Sequence, residues 1–448
     1  MIDRPIRLDQ RLPASGAPAA ARYILSHSRT TPFERFLLMI AVILLPLENN
    51  FPTVAGMSFG FFIFAAIAAY VILNRPGNLG TVLFHPLFIA AYAFIVVSAL
   101  LEFSSPLSYY LDIFRFAQMI GGAVFLAVLC RDRSAFAAGL YGYIATGLWV
   151  SVVLYLTGYG TLQGSVAEDF DEASKLREQA FDKPMGANIN ALAGWCTQGA
   201  IVAFSLSLSD RLKHLHTPLL GVAIFCLVAS LLPMSRGIAA MSLVSFAVIF
   251  YARGFRYGKA LILACLLGTI VYMVVPNAVW SRMVYSTEVR DGRMEARASL
   301  YTTVLNRLPE YIVSGVGAGN FYNDWGVKKG FLRKGNVIGV HNSFLQIAIN
   351  WGVLGLTMFL WIIWRVYRSL PLQCGRDELS LALLGILVSL GIYLLQIHNF
   401  YDKSFAIGLG MLVGARLWIW PRGIVSEVVR NKCEPGAGIN TRSDCHSR

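Results

Sequence analysis

The stretch from Val337 to Leu356 reads VIGVHNSFLQIAINWGVLGL. From Phe344 onward it is apolar enough for a bilayer, yet it opens on His341, Asn342 and Ser343, three polar side chains in succession. An imidazole and an amide at the mouth of a span mean different things on the two sides of a membrane. Topology therefore has to be settled before chemistry.

Similar apolar runs recur along nearly the whole chain of 448 residues, which is 56% hydrophobic and only 14% charged. A soluble domain carries nearer a quarter charged residues, whereas a transmembrane helix needs about 17–25 mostly apolar ones. The runs are continuous rather than alternating, which excludes a transmembrane barrel. The pattern predicts an all-α polytopic membrane protein of about 12 spans. They fall at about 36–50, 55–73, 82–101, 109–129, 135–158, 188–208, 218–234, 238–252, 260–276, 341–364, 379–397 and 404–420.

Charge fixes the orientation. Arg131 and Arg133, Arg211 and Lys213, Arg253, Arg256 and Lys259, and Arg365 and Arg368 all fall between spans on one side. By the positive-inside rule that side is the cytoplasm. It also holds a polar, Pro- and Ala-rich tail over 1–35, expected to be disordered and followed by an uncleaved anchor, and a second tail over 421–448. The net charge of +13 resides mainly in these loops, and no basic run interleaved with aromatics is present to track a nucleic acid. None of the seven cysteines lies in the two long outer loops, and none has zinc-ligand spacing. No cofactor is expected.

Those outer loops are the departures from a bundle of apolar helices within 36–420. The first spans about 159–187 and contains VAEDFDEASKLREQAFDKP, including Arg177. Its Asp169 and Asp171 have the D-x-D spacing by which nucleotide-sugar transferases hold a metal, although a solvated acidic loop is the simpler reading. The second, about 277–340, carries nine basic residues against five acids, a surplus that orientation does not require. Within it Ala296, Leu300, Val304, Leu308 and Ile312 share one helical face, with Pro309 set to shorten or kink the helix. GVGAGNF (Gly315–Phe321) follows; without a preceding strand it is no dinucleotide fingerprint, and its glycines suit a tight turn or the close approach of a ligand to the backbone.

Four further charges matter. Arg236, in PMSRGIAAM, stands at an outer hairpin too tight to offer much solvent, and a cation there calls for an anionic partner. Asp112 and Arg115 are spaced to pair within one helix. Asp402, in IHNFYDKS, is an outer-face acid that either reaches the cavity or caps a helix. His341 and Asn342 now fall on the outside, at a helix N-terminus, where unpaired N–H groups favour anions and a neutral imidazole. Such an imidazole can accept a proton from a substrate hydroxyl; the competing role is an Asn/Ser cap beside an interfacial histidine.

At these residues the sequence resembles the O-antigen ligase and Wzy-type polysaccharide polymerase superfamily. The motifs are SRG (Ser235–Gly237), DGR (Asp291–Arg293), LPEYIVSGVGAGNF (Leu308–Phe321) and HNSFLQIAINWGVLGL (His341–Leu356), with GANINALAGW (Gly186–Trp195) as a weaker one. The resemblance is specific over about 230–360 and architectural elsewhere. It implies a GT-C-like membrane glycosyltransferase with a large periplasmic loop, working at the outer face of a bacterial inner membrane. The implied donor is an undecaprenyl-pyrophosphate-linked oligosaccharide, the other substrate is a glycan acceptor, and membrane lipids, flippase and chain-length regulator proteins are the implied partners. Arg236 and Arg293 would hold the pyrophosphate and His341 would act as base, with Arg297, Asn342, Arg177, Asn320 and Asp402 as binding residues. Two positions depart from the family pattern: Arg297 stands where a tryptophan is frequent, and Asn350 where an acid is common.

A polymerase of exopolysaccharide or O-antigen repeat units is the leading expectation, on the strength of the extra loop around Arg177. A ligase that passes O-antigen to lipid A–core is the alternative. A lipid-linked oligosaccharide flippase ranks below both, because transporters place ionisable groups near the midplane and show repeated halves.

Overall fold

The computed structural model describes residues 29–45, 59–102, 110–163, 165, 170–182, 189–254, 268–269, 272–284, 294–329, 331–333, 336–337, 339–370, 377–397, 400 and 402–420. In chain order the principal helices are α1 (Pro32–Leu44), α2 (Phe59–Asn74), α3 (Pro76–Leu83), α4 (Pro86–Leu101), α5 (Leu111–Leu129) and α6 (Arg133–Leu154). Next come α7 (Phe170–Arg177), α8 (Ile189–Ser207), α9 (His216–Leu231), α10 (Arg236–Arg253), α11 (Asn277–Val284), α12 (Met294–Asn306) and α13 (Leu308–Tyr311). The chain closes with α14 (Ser343–Ser369), α15 (Glu378–Leu394) and α16 (Lys403–Gly414). The one pair of strands among the described residues is antiparallel, Leu332–Arg333 against Asn336–Val337.

An apolar helix lies on each expected span except the ninth, about 260–276, most of which falls outside the described residues. Among the described residues six helices are long and apolar enough to cross a membrane, or seven if a bent pair is one span, and α4 and α15 are shorter apolar helices. The structure therefore shows a multi-pass helical protein and leaves the count of twelve as an expectation. One difference has a clear cause: the second span does not run straight into a loop. Pro76 starts a new helix directly after Asn74, and the α2–α3 pair bends by 112°.

Hydrogen bonds and ion pairs join several of the loops that the charge rule groups on one side. At one end Glu34, fully buried, accepts from Arg131 Nη2 at 2.7 Å and from Arg75 Nε at 2.7 Å. Asp132 accepts from Thr30 nearby, Arg133 pairs with Asp377, and Arg253 donates to the Leu208 carbonyl. These are the loops assigned to the cytoplasm. Asp112 and Arg115 do pair within one helix, at 3.6 Å.

In the second outer loop the expected helical face is real but broken. Leu300 and Val304 are buried with Tyr311, Phe321, Phe331 and Ile349 in a small outer core. The helix ends at Asn306 and restarts at Leu308, because Pro309 suits a first turn and not an interior; Leu308 is consequently rotated out to the surface. Part of the loop's positive charge is engaged within the loop. Arg307 and Lys329 both pair with Glu310, at 3.0 Å each, and Lys328 pairs with Asp324 at 2.8 Å. Lys329 first, then Arg307, hold the Glu310 carboxyl below its ordinary value.

Candidate active site

Two polypeptide turns carry the principal candidates. The α9–α10 hairpin ends in Met234 and Ser235, and Arg236, exposed, is the first residue of α10. Before α14, His341 is half-buried and Asn342 is the N-cap, its Oδ1 accepting from Phe344 N at 3.0 Å and Leu345 N at 3.1 Å. Met234 and His341, with φ of 57° and 54°, are the two described non-glycine residues in the left-handed region. That conformation disfavours an L side chain by about 1–2 kcal/mol and persists only where surroundings impose it. Both strained positions belong to the SRG and HNS turns.

A third turn, between α15 and α16, joins these two. Gln396 Nε2 donates to the Gly237 carbonyl at 2.8 Å, and Ser343 Oγ donates to the neighbouring Ile397 carbonyl at 2.8 Å. Two hydrogen bonds to adjacent residues thus connect the residue after Arg236 to the residue two after His341. Chain segments separated by about a hundred positions are thereby joined at one turn. Asp402 closes the same turn as N-cap of α16, accepting from Ser404 N at 2.9 Å and Ser404 Oγ at 2.6 Å. Burial pushes its carboxyl above the ordinary range despite those two donors.

α14 itself is not one continuous helix. Trp351 (φ −133°, ψ 18°) and Gly352 (φ 64°, ψ −162°) break it, which releases backbone groups that cannot remain unpaired at such depth. The GVGAGNF segment supplies their partners. Val316 N donates to Ile349 O at 2.7 Å and Gly317 N to Asn350 O at 2.9 Å, while Val353 N donates to Ile312 O at 2.6 Å. Here the glycines are required by space: a Cβ on Gly315 (φ 75°) would lie 2.3 Å from Asn350 O, and one on Gly352 2.4 Å from Val313 O. What approaches the backbone closely at these glycines is the protein's own broken span, where the sequence alone offers a ligand.

Above the break, Gln346 Nε2 donates to Asn350 Oδ1 at 3.0 Å and Gln346 Oε1 accepts from Val340 N at 3.1 Å, all buried. Asn350, in the place of the family's common acid, acts in this ladder as an acceptor. Below the α15–α16 turn lies an apolar cavity of about 200 Å³ whose lining includes Phe116, Phe359, Leu394 and Phe400.

Of the remaining expected residues, Arg177 Nη2 donates to Asn190 Oδ1 at 3.3 Å, which ties the first outer loop to the GANINALAGW motif. Asn320 Nδ2 donates to the Val316 carbonyl at 2.9 Å within its own loop. Arg297 is a residue of α12, while Arg293 and the rest of DGR lie outside the described residues, as does Asp169.

With this geometry in view, residues 221–360 match the model of a family described as O-antigen ligase (Wzy_C). Over that segment the chain is similar to the O-antigen ligase and Wzy-type superfamily. The matched segment begins in α9 and ends in α14 beyond its break, so it includes both strained turns and the loop spliced into the span. Members of the Wzy_C family are glycosyltransferase-like enzymes that act on lipid-linked glycans. No curated protein matches the chain.

Sequence reasoning missed the bridge through Gln396, the splice at Trp351–Gly352, and Glu102, a fully buried acid at the end of α4. Two of these left a faint mark. Gly352 sits inside an apolar run, and Glu102 is an acid placed where a span should end.

Proposed function

We propose that the chain is a GT-C-type membrane glycosyltransferase that polymerises undecaprenyl-pyrophosphate-linked repeat units of an exopolysaccharide or O-antigen at the periplasmic face. The observation that carries this reading is the pair of bonds through Gln396 and Ile397, which draw the SRG and HNS turns together. Arginine forks match phosphate oxygens and stabilise charge on a departing pyrophosphate. Arg236, joined by Arg293, holds the pyrophosphate of the donor. His341 takes the proton of the acceptor hydroxyl as that oxygen bonds the anomeric carbon. The carbon–oxygen bond to pyrophosphate breaks, and the polyprenyl pyrophosphate leaves with the negative charge. Asn342, Asn320, Arg297, Arg177 and Asp402 border the sugar path.

The apolar cavity beneath the same turn supports a donor with an isoprenoid tail. A second reading, transfer of finished O-antigen to lipid A–core, is favoured by the description of the matched family. Reconstitution in liposomes with a purified lipid-linked oligosaccharide separates the two. Growth of ladders on the lipid-linked acceptor supports polymerisation, and transfer only when lipid A–core is supplied supports ligation. Absence of both refutes the proposal. Activity is expected to persist in chelator; strict dependence on a divalent ion would return attention to Asp169 and Asp171.

A further inference from the structure

The splice between the outer loop and the broken span is made almost entirely of backbone bonds, with one exception. Glu102 caps the end of α4 and is fully buried. Its Oε1 accepts from Ala318 N at 2.6 Å and from Trp351 Nε1 at 3.1 Å. One bond thus falls on the docked segment and the other on the residue at the break. The Glu102 carbonyl accepts from Tyr110 Oη at 2.7 Å, which anchors its own end of α4. The indole is fixed as well, packing edge-on against Phe94 at 5.4 Å and Phe400 at 5.5 Å between ring centroids. A carboxylate is an expensive group to bury; one whose single oxygen ties two separate elements has a geometric task that an apolar side chain could not perform.

We propose that Glu102 is a positioning residue for glycan transfer: it pins the 312–320 segment and Trp351 together and so sets the direction of the half-helix 343–350, at whose start His341 and Asn342 stand. The proposal rests on the reading of His341 as a reacting group. From Ser343 to the break the half-helix is roughly 12 Å long at 1.5 Å per residue, so a tilt of about 5° at Trp351 moves its start by about 1 Å. A misplacement of about 1 Å at the reacting groups lowers rate by about 10²-fold. Glu102 therefore acts through kcat rather than through the affinity for donor.

The test compares Glu102→Ala, Glu102→Gln and Trp351→Phe in the full-length protein in nanodiscs. Hydrogen–deuterium exchange over 312–320 is read beside kcat and KM for a lipid-linked oligosaccharide. E102A is expected to raise exchange over 312–320, to leave exchange over 111–129 and 189–207 unchanged, and to lower kcat about 100-fold with KM within a few-fold. E102Q retains an oxygen for both donors and should recover the protection and most of kcat. W351F, which removes one of the two donors, should fall between them. The proposal is overturned if E102A leaves the 312–320 segment as protected as before, or loosens every helix alike. It is also overturned if kcat per folded protein is unchanged or if E102Q is as impaired as E102A. An inactive wild-type protein would refute the transfer reading, whereas segment-specific loss of protection in E102A would still show the pin, so the two failures are distinguishable.

Discussion

Replacing Gly315 with alanine should detach the outer loop from the broken span. The added Cβ would lie 2.3 Å from Asn350 O, 2.5 Å from Asn350 C and 2.6 Å from Trp351 Cα, all backbone atoms that no rotamer change can move. Restoring ordinary contact requires the segment to retreat by about 1 Å. That stretches the Val316–Ile349 and Gly317–Asn350 bonds, now 2.7 and 2.9 Å, beyond useful hydrogen-bonding range. Two bonds at about 1 kcal/mol each, plus about 1 kcal/mol for alanine in a left-handed conformation, give about 3 kcal/mol. At 1.36 kcal/mol per decade this is roughly a 100-fold shift from docked to undocked segment. Exchange of the 312–320 amides should accelerate by about that factor. Gly121→Ala is the matched control, since nothing lies within 4 Å of its added Cβ, and it should leave exchange unchanged. Wild-type protection of 312–320 in G315A would refute the splice.

At the opposite end of the bundle, Arg131→Ala leaves the buried Glu34 with Arg75 as its remaining guanidinium partner. Breaking a buried pair destabilises by about 3–5 kcal/mol, so thermal unfolding in detergent should occur at lower temperature while transfer per folded molecule is retained; an unchanged midpoint would contradict this. The depressed Glu310 carboxyl gives a pH dependence of definite sign. Its ion pairs with Lys329 and Arg307 contribute fully above the ordinary value of 4.5 and are lost as pH falls through the lower folded value. Acidification should thus loosen the 307–329 region by hydrogen exchange, and Glu310→Gln should abolish that pH dependence.

The spans were legible because a bilayer imposes length and apolarity on each run, independently of what it packs against. The SRG and HNS segments stood out in the sequence because an arginine at a tight hairpin and an imidazole at the head of an apolar run are unusual placements. What escaped reading depends on partners far away in the chain. Arg131 reads in sequence as one more orienting cation, yet it meets Glu34 from 97 positions earlier. Gln396 looks like an unremarkable end of span until its bond to Gly237 is seen. Pro309 announced an interruption, but not that the following glycines would enter a break in another helix. Likewise, the cation count of the outer loop could not foretell which cations Glu310 and Asp324 would engage.

The central claim is that Arg236 and His341 serve one transition state at one outer turn. A double-mutant cycle on transfer from a lipid-linked oligosaccharide tests it most directly, comparing Arg236→Ala, His341→Ala and the double variant. Loss of a proton acceptor lowers rate by about 10²–10⁴-fold, and groups that act as a unit are strongly non-additive. The double variant should therefore be about as slow as the slower single one. Losses that simply multiply, or a His341→Ala protein with undiminished transfer, would contradict the account.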